Sequence, residues 1–322
     1  MERTNCNEKP DFKYIYFLKF IAILLITNSH FKPIYEGALS QFAFGGALGC
    51  ALFFFCSGYT LALGKFDNFW IWMAKRVIRI YPTLWIVNIM TSLVGKKTVP
   101  WYDYIFPTDQ HYWFLQAILV FYILFFFVMK YAKRHLMLAA ICLVPPFLLT
   151  YFLSNTCKWT IDYAVHPYRL HWYYNFAIIL IGAYYRITPP NLLKSVNKVC
   201  RLLLALVCFV FSYGLKFIVE KSGMDISTHL QLLFPLGVIA FTLSLFHLAK
   251  IIHYGSLFDS INRFFAGLTL EIYLVQFLVI ESCSDISFPL RFFVTVLIIV
   301  ILAYGTNKFV SLIVKPIKGM IP

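Results

Sequence analysis

Long apolar runs dominate the chain, and its charged positions cluster in the short stretches between them. The hydrocarbon core of a bilayer needs about 20 mostly apolar residues per spanning helix. Runs of that kind lie near 14–31, 43–64, 77–94, 112–130, 136–154, 172–186, 200–219, 229–248, 264–282 and 290–312. The shortest is 172–186. The connections leave no room for a separate soluble domain. The pattern therefore predicts an all-α integral membrane protein, a single bundle of about ten transmembrane helices that uses residues 1–322 as one domain. The first run leads into a Lys-bearing loop with no small-residue cleavage site, so the first helix is expected to stay as an anchor.

Composition agrees with this pattern. Of 322 residues, 61% are hydrophobic and only 13% charged, which leaves too little polar surface to face water. The 34 Phe and 21 Tyr suit lipid-facing and interfacial positions. A net charge of +14 would suggest nucleic acid in a soluble protein. Here it reflects cytoplasmic loops: Lys75, Arg76 and Arg79, then Lys130, Lys133 and Arg134, then Arg186, Lys194, Lys198 and Arg201 all fall on one side. The opposite side carries fewer cations, among them Lys32, Lys96, Lys97 and Lys158. Both termini are thus expected in the cytoplasm, and no nucleic-acid partner is expected. The eight cysteines form no C-x-x-C pair and no zinc spacing, so neither a metal site nor a disulfide framework is expected.

Ionisable groups inside spans are costly and mark function by default. Lys19 and His30 are eleven residues apart in the first helix. At 100° per residue they share a face, about 16 Å apart along the axis. That stripe suits a reaction between substrates arriving from opposite sides. The plainer alternative is a snorkelling Lys and an interfacial His. Arg76 and Arg79 share a face at the start of the third helix, where paired guanidinium forks suit phosphates; simple anchoring is the alternative. Ser57 and Gly58 lie in FFFCSGY, where small residues allow close helix packing. Trp113 and Tyr112 begin the fourth helix and could form an aromatic belt. Glu271 is set among apolar neighbours in LTLEIYLVQF and needs a partner or a wet cavity.

Taken in order, these segments resemble the acyltransferase 3 family of membrane acyltransferases along essentially the whole chain. The family's basic residue, ten intervening positions and His are matched by Lys19 to His30. Its F-F-x-x-S-G-[FY] segment is matched by FFFCSGY, ending at Tyr59. Its R-x-x-R-[IL]-x-P segment is matched by Arg76 to Pro82, with Tyr81 inside it. Its W-F-L and F-Y pieces are matched by Trp113 to Leu115 and by Phe121 and Tyr122. Three positions depart from the pattern. Lys19 stands where Arg is commoner, Ile118 and Leu119 where many members carry acids, and Gln276 where many carry His.

The resemblance implies an O-acetyltransferase of the bacterial inner membrane. It would take acetyl-CoA or another acyl-CoA as donor substrate, with no permanently bound cofactor. The acceptor would be a hydroxyl of a cell-surface polysaccharide or its lipid-linked precursor. His30 would be the catalytic base or the acyl carrier. Lys19, Arg76, Arg79, Ser57, Tyr81, Trp113, Tyr122 and Glu271 would contact substrates. A transporter or flippase for the same glycans would use similar intramembrane groups, but such proteins usually show internal repeats, and none is evident here.

Overall fold

A computed structural model of the protein describes residues 12–94, 98–154, 161, 169–190, 193, 195–222, 229–283 and 286–319. The described residues form helices and turns. The helices are α1 (Lys13–His30), α2 (Gly46–Leu61), α3 (Phe69–Leu93), α4 (Trp113–Tyr131), α5 (Leu136–Ile141) and α6 (Val144–Leu153). They continue with α7 (His171–Ile187), α8 (Lys198–Ser222), α9 (Phe234–Ala249), α10 (Ser256–Gly267), α11 (Thr269–Ser282) and α12 (Leu290–Gly319).

Every expected span falls on helix, with two differences. The segment 136–154 is two helices, because Pro145 and Pro146 supply no N–H to continue the ladder from α5. The segment 264–282 begins inside α10, and the axis turns by 65° into α11 at Leu268, next to Gly267.

Six helical segments among the described residues are long and apolar enough to cross a membrane, or up to seven if the bent α10–α11 pair is one span. These helices fit an integral membrane protein. The expected count of about ten exceeds that number for a physical reason. α1 carries Lys13, Lys19, Asn28 and His30, α3 carries Lys75, Arg76 and Arg79, and α7 has only 17 residues. At 1.5 Å per residue α7 is about 26 Å long. It is buried nearly all round, as expected of a helix enclosed by others.

α1 packs against α2, α9, α10 and α11 and so runs through the middle of the bundle. α2 lies most extensively against α7. Two glycines permit that approach. A Cβ on Gly58 would lie 1.9 Å from the Ile179 carbonyl oxygen, and one on Gly182 would lie 2.3 Å from that of Phe55. Each helix thus presents bare backbone to the other, which is the packing role read for Gly58.

α1 ends at His30, just ahead of Lys32, whose helical conformation is disfavoured by Pro33. The chain then folds back as residues 31–45 and is pinned to α1. Asn28 donates through Nδ2 to the carbonyls of Phe42 (2.7 Å) and Phe44 (3.0 Å), and Tyr35 donates to Asn28 Oδ1 (2.7 Å). From α8, Tyr213 donates to the Gln41 carbonyl (3.2 Å).

Candidate functional site

Two cavities lie along the same face of α1. The first, about 120 Å³, is lined by Lys19, Ser57, Thr60, Arg79 and Tyr122, with apolar walls from Phe53 and Phe114. The second, about 210 Å³, is lined by Ser29, His30, Trp113, His171, Tyr174 and Lys216, and by residues 43–47, where the folded-back segment enters α2. Ile26 and Tyr273 line both. Lys19, Ile26 and His30 are spaced seven and then four residues apart, so one helical stripe serves both chambers. Lys19 and His30 therefore point into the bundle, each half-buried, but into different chambers.

The wall between the chambers is firmly placed. Ile26 is buried, and the buried Tyr273 donates its hydroxyl to the His111 carbonyl at 2.6 Å. The His30 ring packs edge-on against Phe277, 4.7 Å between centroids, which restricts its orientation. His111 packs on the same Phe277 at 5.0 Å, and its Nδ1 lies 2.7 Å from Asp109 Oδ1. His30 and His111 thus share Phe277 as a neighbour.

In the first chamber, Lys19 lies within Coulombic reach of Arg79. Arg79 is exposed and also lines a third cavity of about 230 Å³, together with Glu271 and Asn307. The buried Glu271 finds the partner it needs in Asn307, whose Nδ2 donates to Oε1 at 2.9 Å. Ser57 and Tyr122 face the first chamber.

The two arginines separate. Arg76 Nη1 donates to its own helix at the Trp72 carbonyl (3.1 Å), and the guanidinium lies 4.1 Å over the Trp72 ring. Arg76 lines none of the three cavities, although it and Arg79 both act electrostatically on Tyr122. Tyr81 is likewise elsewhere: its hydroxyl donates to the Ile105 carbonyl at 2.6 Å and ties α3 to the following loop. Trp113 belongs to the second chamber rather than to an outer aromatic belt.

Sequence reasoning passes over His171, an ordinary histidine near a helix end by its position alone. It is 1% exposed, packs edge-on against Trp113 at 4.5 Å, and neither ring nitrogen has a hydrogen-bond partner among the described residues. Its signal is the spacing of His171, Tyr174 and Asn175, which puts three polar groups on one face of the helix. No group of three or more His, Cys, Asp or Glu among the described residues could hold a metal ion.

A family model described as an acyltransferase domain matches residues 12–307, from the residue before α1 into α12. No curated protein and no solved structure matches the chain.

Proposed function

The chain belongs to the acyltransferase 3 family, and from that premise we propose that it transfers an acetyl group from acetyl-CoA to a hydroxyl of a cell-surface polysaccharide or its lipid-linked precursor. The observation that carries this reading is the pair of chambers meeting at Ile26 and Tyr273, with Lys19 and Arg79 in one and His30 in the other. Two substrates that enter separately need such a meeting point.

In this reading residues 1–322 act as one unit of ten spans in a bacterial plasma membrane, with cytoplasmic termini. Acetyl-CoA enters from the cytoplasm. Its phosphates are drawn to Arg79 and Lys19, cations suited to anionic groups. The thioester end of its thin pantetheine arm reaches past Ile26 and Tyr273 toward His30. The acceptor occupies the second chamber.

The chemistry needs one base. Neutral His30 takes the proton of the acceptor hydroxyl while its oxygen attacks the thioester carbonyl. The carbonyl re-forms as the C–S bond breaks, and the departing sulfur takes the proton back from the imidazolium. An ester and free CoA thiol result, and His30 is again neutral. Phe277 supports this role by fixing the ring.

The test is an acyl-transfer assay in membranes with labelled acetyl-CoA and the host's own surface glycan. At equal protein levels wild type should label the glycan, His30→Ala should not, and Lys19→Ala should do so only at raised acetyl-CoA. A wild type that labels no glycan, or that moves one across the bilayer unmodified, removes the reading.

A further inference from the structure

We propose that His171 is an acceptor-binding residue, which holds a second hydroxyl of the sugar ring whose first hydroxyl meets His30. This rests on the acyl-transfer reading and adds to it a residue that selects the acceptor.

The first observation is His171 itself. An imidazole offers one donor and one acceptor when neutral. Buried polar groups are nearly always satisfied, and leaving one unsatisfied is unfavourable. His171 is 1% exposed, lies on the chamber wall, and has neither nitrogen satisfied among the described residues. Both nitrogens lie just behind the chamber surface, so a ligand hydroxyl supplies the missing partner once the ring turns slightly toward it.

The second observation is what shares the chamber. His30 and His171 line one space of about 210 Å³. One hydroxyl of a ligand can lie at His30 while another meets His171. A monohydric alcohol can meet only one of them. Ser29 donates its proton to the Ile26 carbonyl at 2.7 Å, so its oxygen is turned into an acceptor. Trp113 provides an aromatic wall, and the C–H face of a pyranose is apolar enough to lie on such a surface.

The third observation is rigidity. His171 opens α7, the helix locked against α2 by Gly58 and Gly182. Its ring is braced by Trp113. A pre-placed group loses little freedom on binding, so it can discriminate between ligands.

The experiment uses the full chain in nanodiscs with labelled acetyl-CoA. The acceptor probes are methyl glycosides of glucose, galactose, mannose and N-acetylglucosamine, their monodeoxy analogues, and 1-octanol. Wild type should acetylate at least one glycoside and not octanol. His171→Ala should raise the KM for that glycoside about tenfold, the weight of one good hydrogen bond. The KM for acetyl-CoA should stay within about twofold, because the donor contacts lie in the other chamber. His171→Gln, which keeps a donor and an acceptor, should recover part of the loss. One monodeoxy analogue should lose affinity in wild type and lose nothing further in His171→Ala. An unchanged glycoside KM in His171→Ala, at normal accumulation and thermal stability, overturns the role of His171. Transfer to octanol but to no glycoside overturns the ligand class and leaves acyl transfer standing. Transfer to no probe and to no host glycan overturns the functional reading on which the proposal rests.

Discussion

Lys19 and His30 occupy one face of α1, eleven residues apart, and open into different chambers that meet at the wall formed by Ile26 and Tyr273. The arrangement divides the proposed labour cleanly. Lys19 should govern the donor and His30 the reaction, so variants at the two positions should fail differently.

His30→Ala should lower transfer by about a hundred- to ten-thousand-fold, the usual effect of losing a general base. The protein should insert and accumulate normally, since His30 is half-buried and its ring contact with Phe277 is a small part of the core. Radiolabel transfer in membranes, normalised to immunoblot, measures both. Near-normal transfer would place the base elsewhere.

Arg79→Ala should raise the KM for acetyl-CoA about tenfold or more, because a charge-assisted hydrogen bond is stronger than a neutral one. Arg76→Ala should raise it less, since Arg76 is folded over Trp72 and lines none of the three cavities described. Arg79→Lys should rescue in part, with the charge kept and the fork lost. Steady-state kinetics with varied acetyl-CoA would show it. Equal effects at 76 and 79 would mean that both guanidinium groups reach the donor.

Gly58→Ala should destabilise the bundle by about 1–3 kcal/mol or more, as overpacking does. The new methyl would meet fixed backbone at Ile179. Gly214→Ala, whose added methyl would find no atom within 4 Å, is the matched control and should leave stability nearly unchanged. Thermal melting of the detergent-solubilised protein separates the two. Equal melting temperatures would show that α2 and α7 can move apart at no cost.

Glu271→Gln should keep the hydrogen bond from Asn307, because the amide oxygen still accepts. Glu271→Ala should cost about 0.5–1.5 kcal/mol, because it leaves Asn307 only a long 3.5 Å contact with the Gly267 carbonyl. If Gln also preserves transfer, the carboxylate charge has no part in the reaction. A loss of transfer in Gln at full stability would give the charge a role beside Arg79.

Reporter fusions after Lys97 and Lys158 should read outside the cytoplasm, and after Lys133 inside. A cytoplasmic signal at both 97 and 158 would refute the ten-span arrangement.

The helices are legible in the sequence because apolar run length is a strong signal, and the shared face of Lys19 and His30 follows from helical periodicity. Periodicity assigns a face to a helix but not the direction of a long side chain. That is why Arg76 and Arg79 read as one fork while the structure has the first lying over Trp72. Tyr81 escapes for a related reason: its partner, the Ile105 carbonyl, lies in a loop whose path no local pattern encodes. His171 is hidden by its position at a helix start, where a histidine ordinarily meets water. The wall between the chambers pairs α1 with α11, far apart in sequence, so only the fold could reveal it.

That wall also bears on permeability. A continuous wet channel from one chamber to the other would let protons run along its water. Ile26 offers hydrocarbon there, and Tyr273 has its hydroxyl committed to a backbone carbonyl. Narrow apolar constrictions of this kind exclude water. In the proposed topology the same two side chains that let a slender thioester arm through would seal the membrane against ion leak. An Ile26 replacement that widens the passage should then trade tolerance of bulkier acyl groups against the cell's proton gradient.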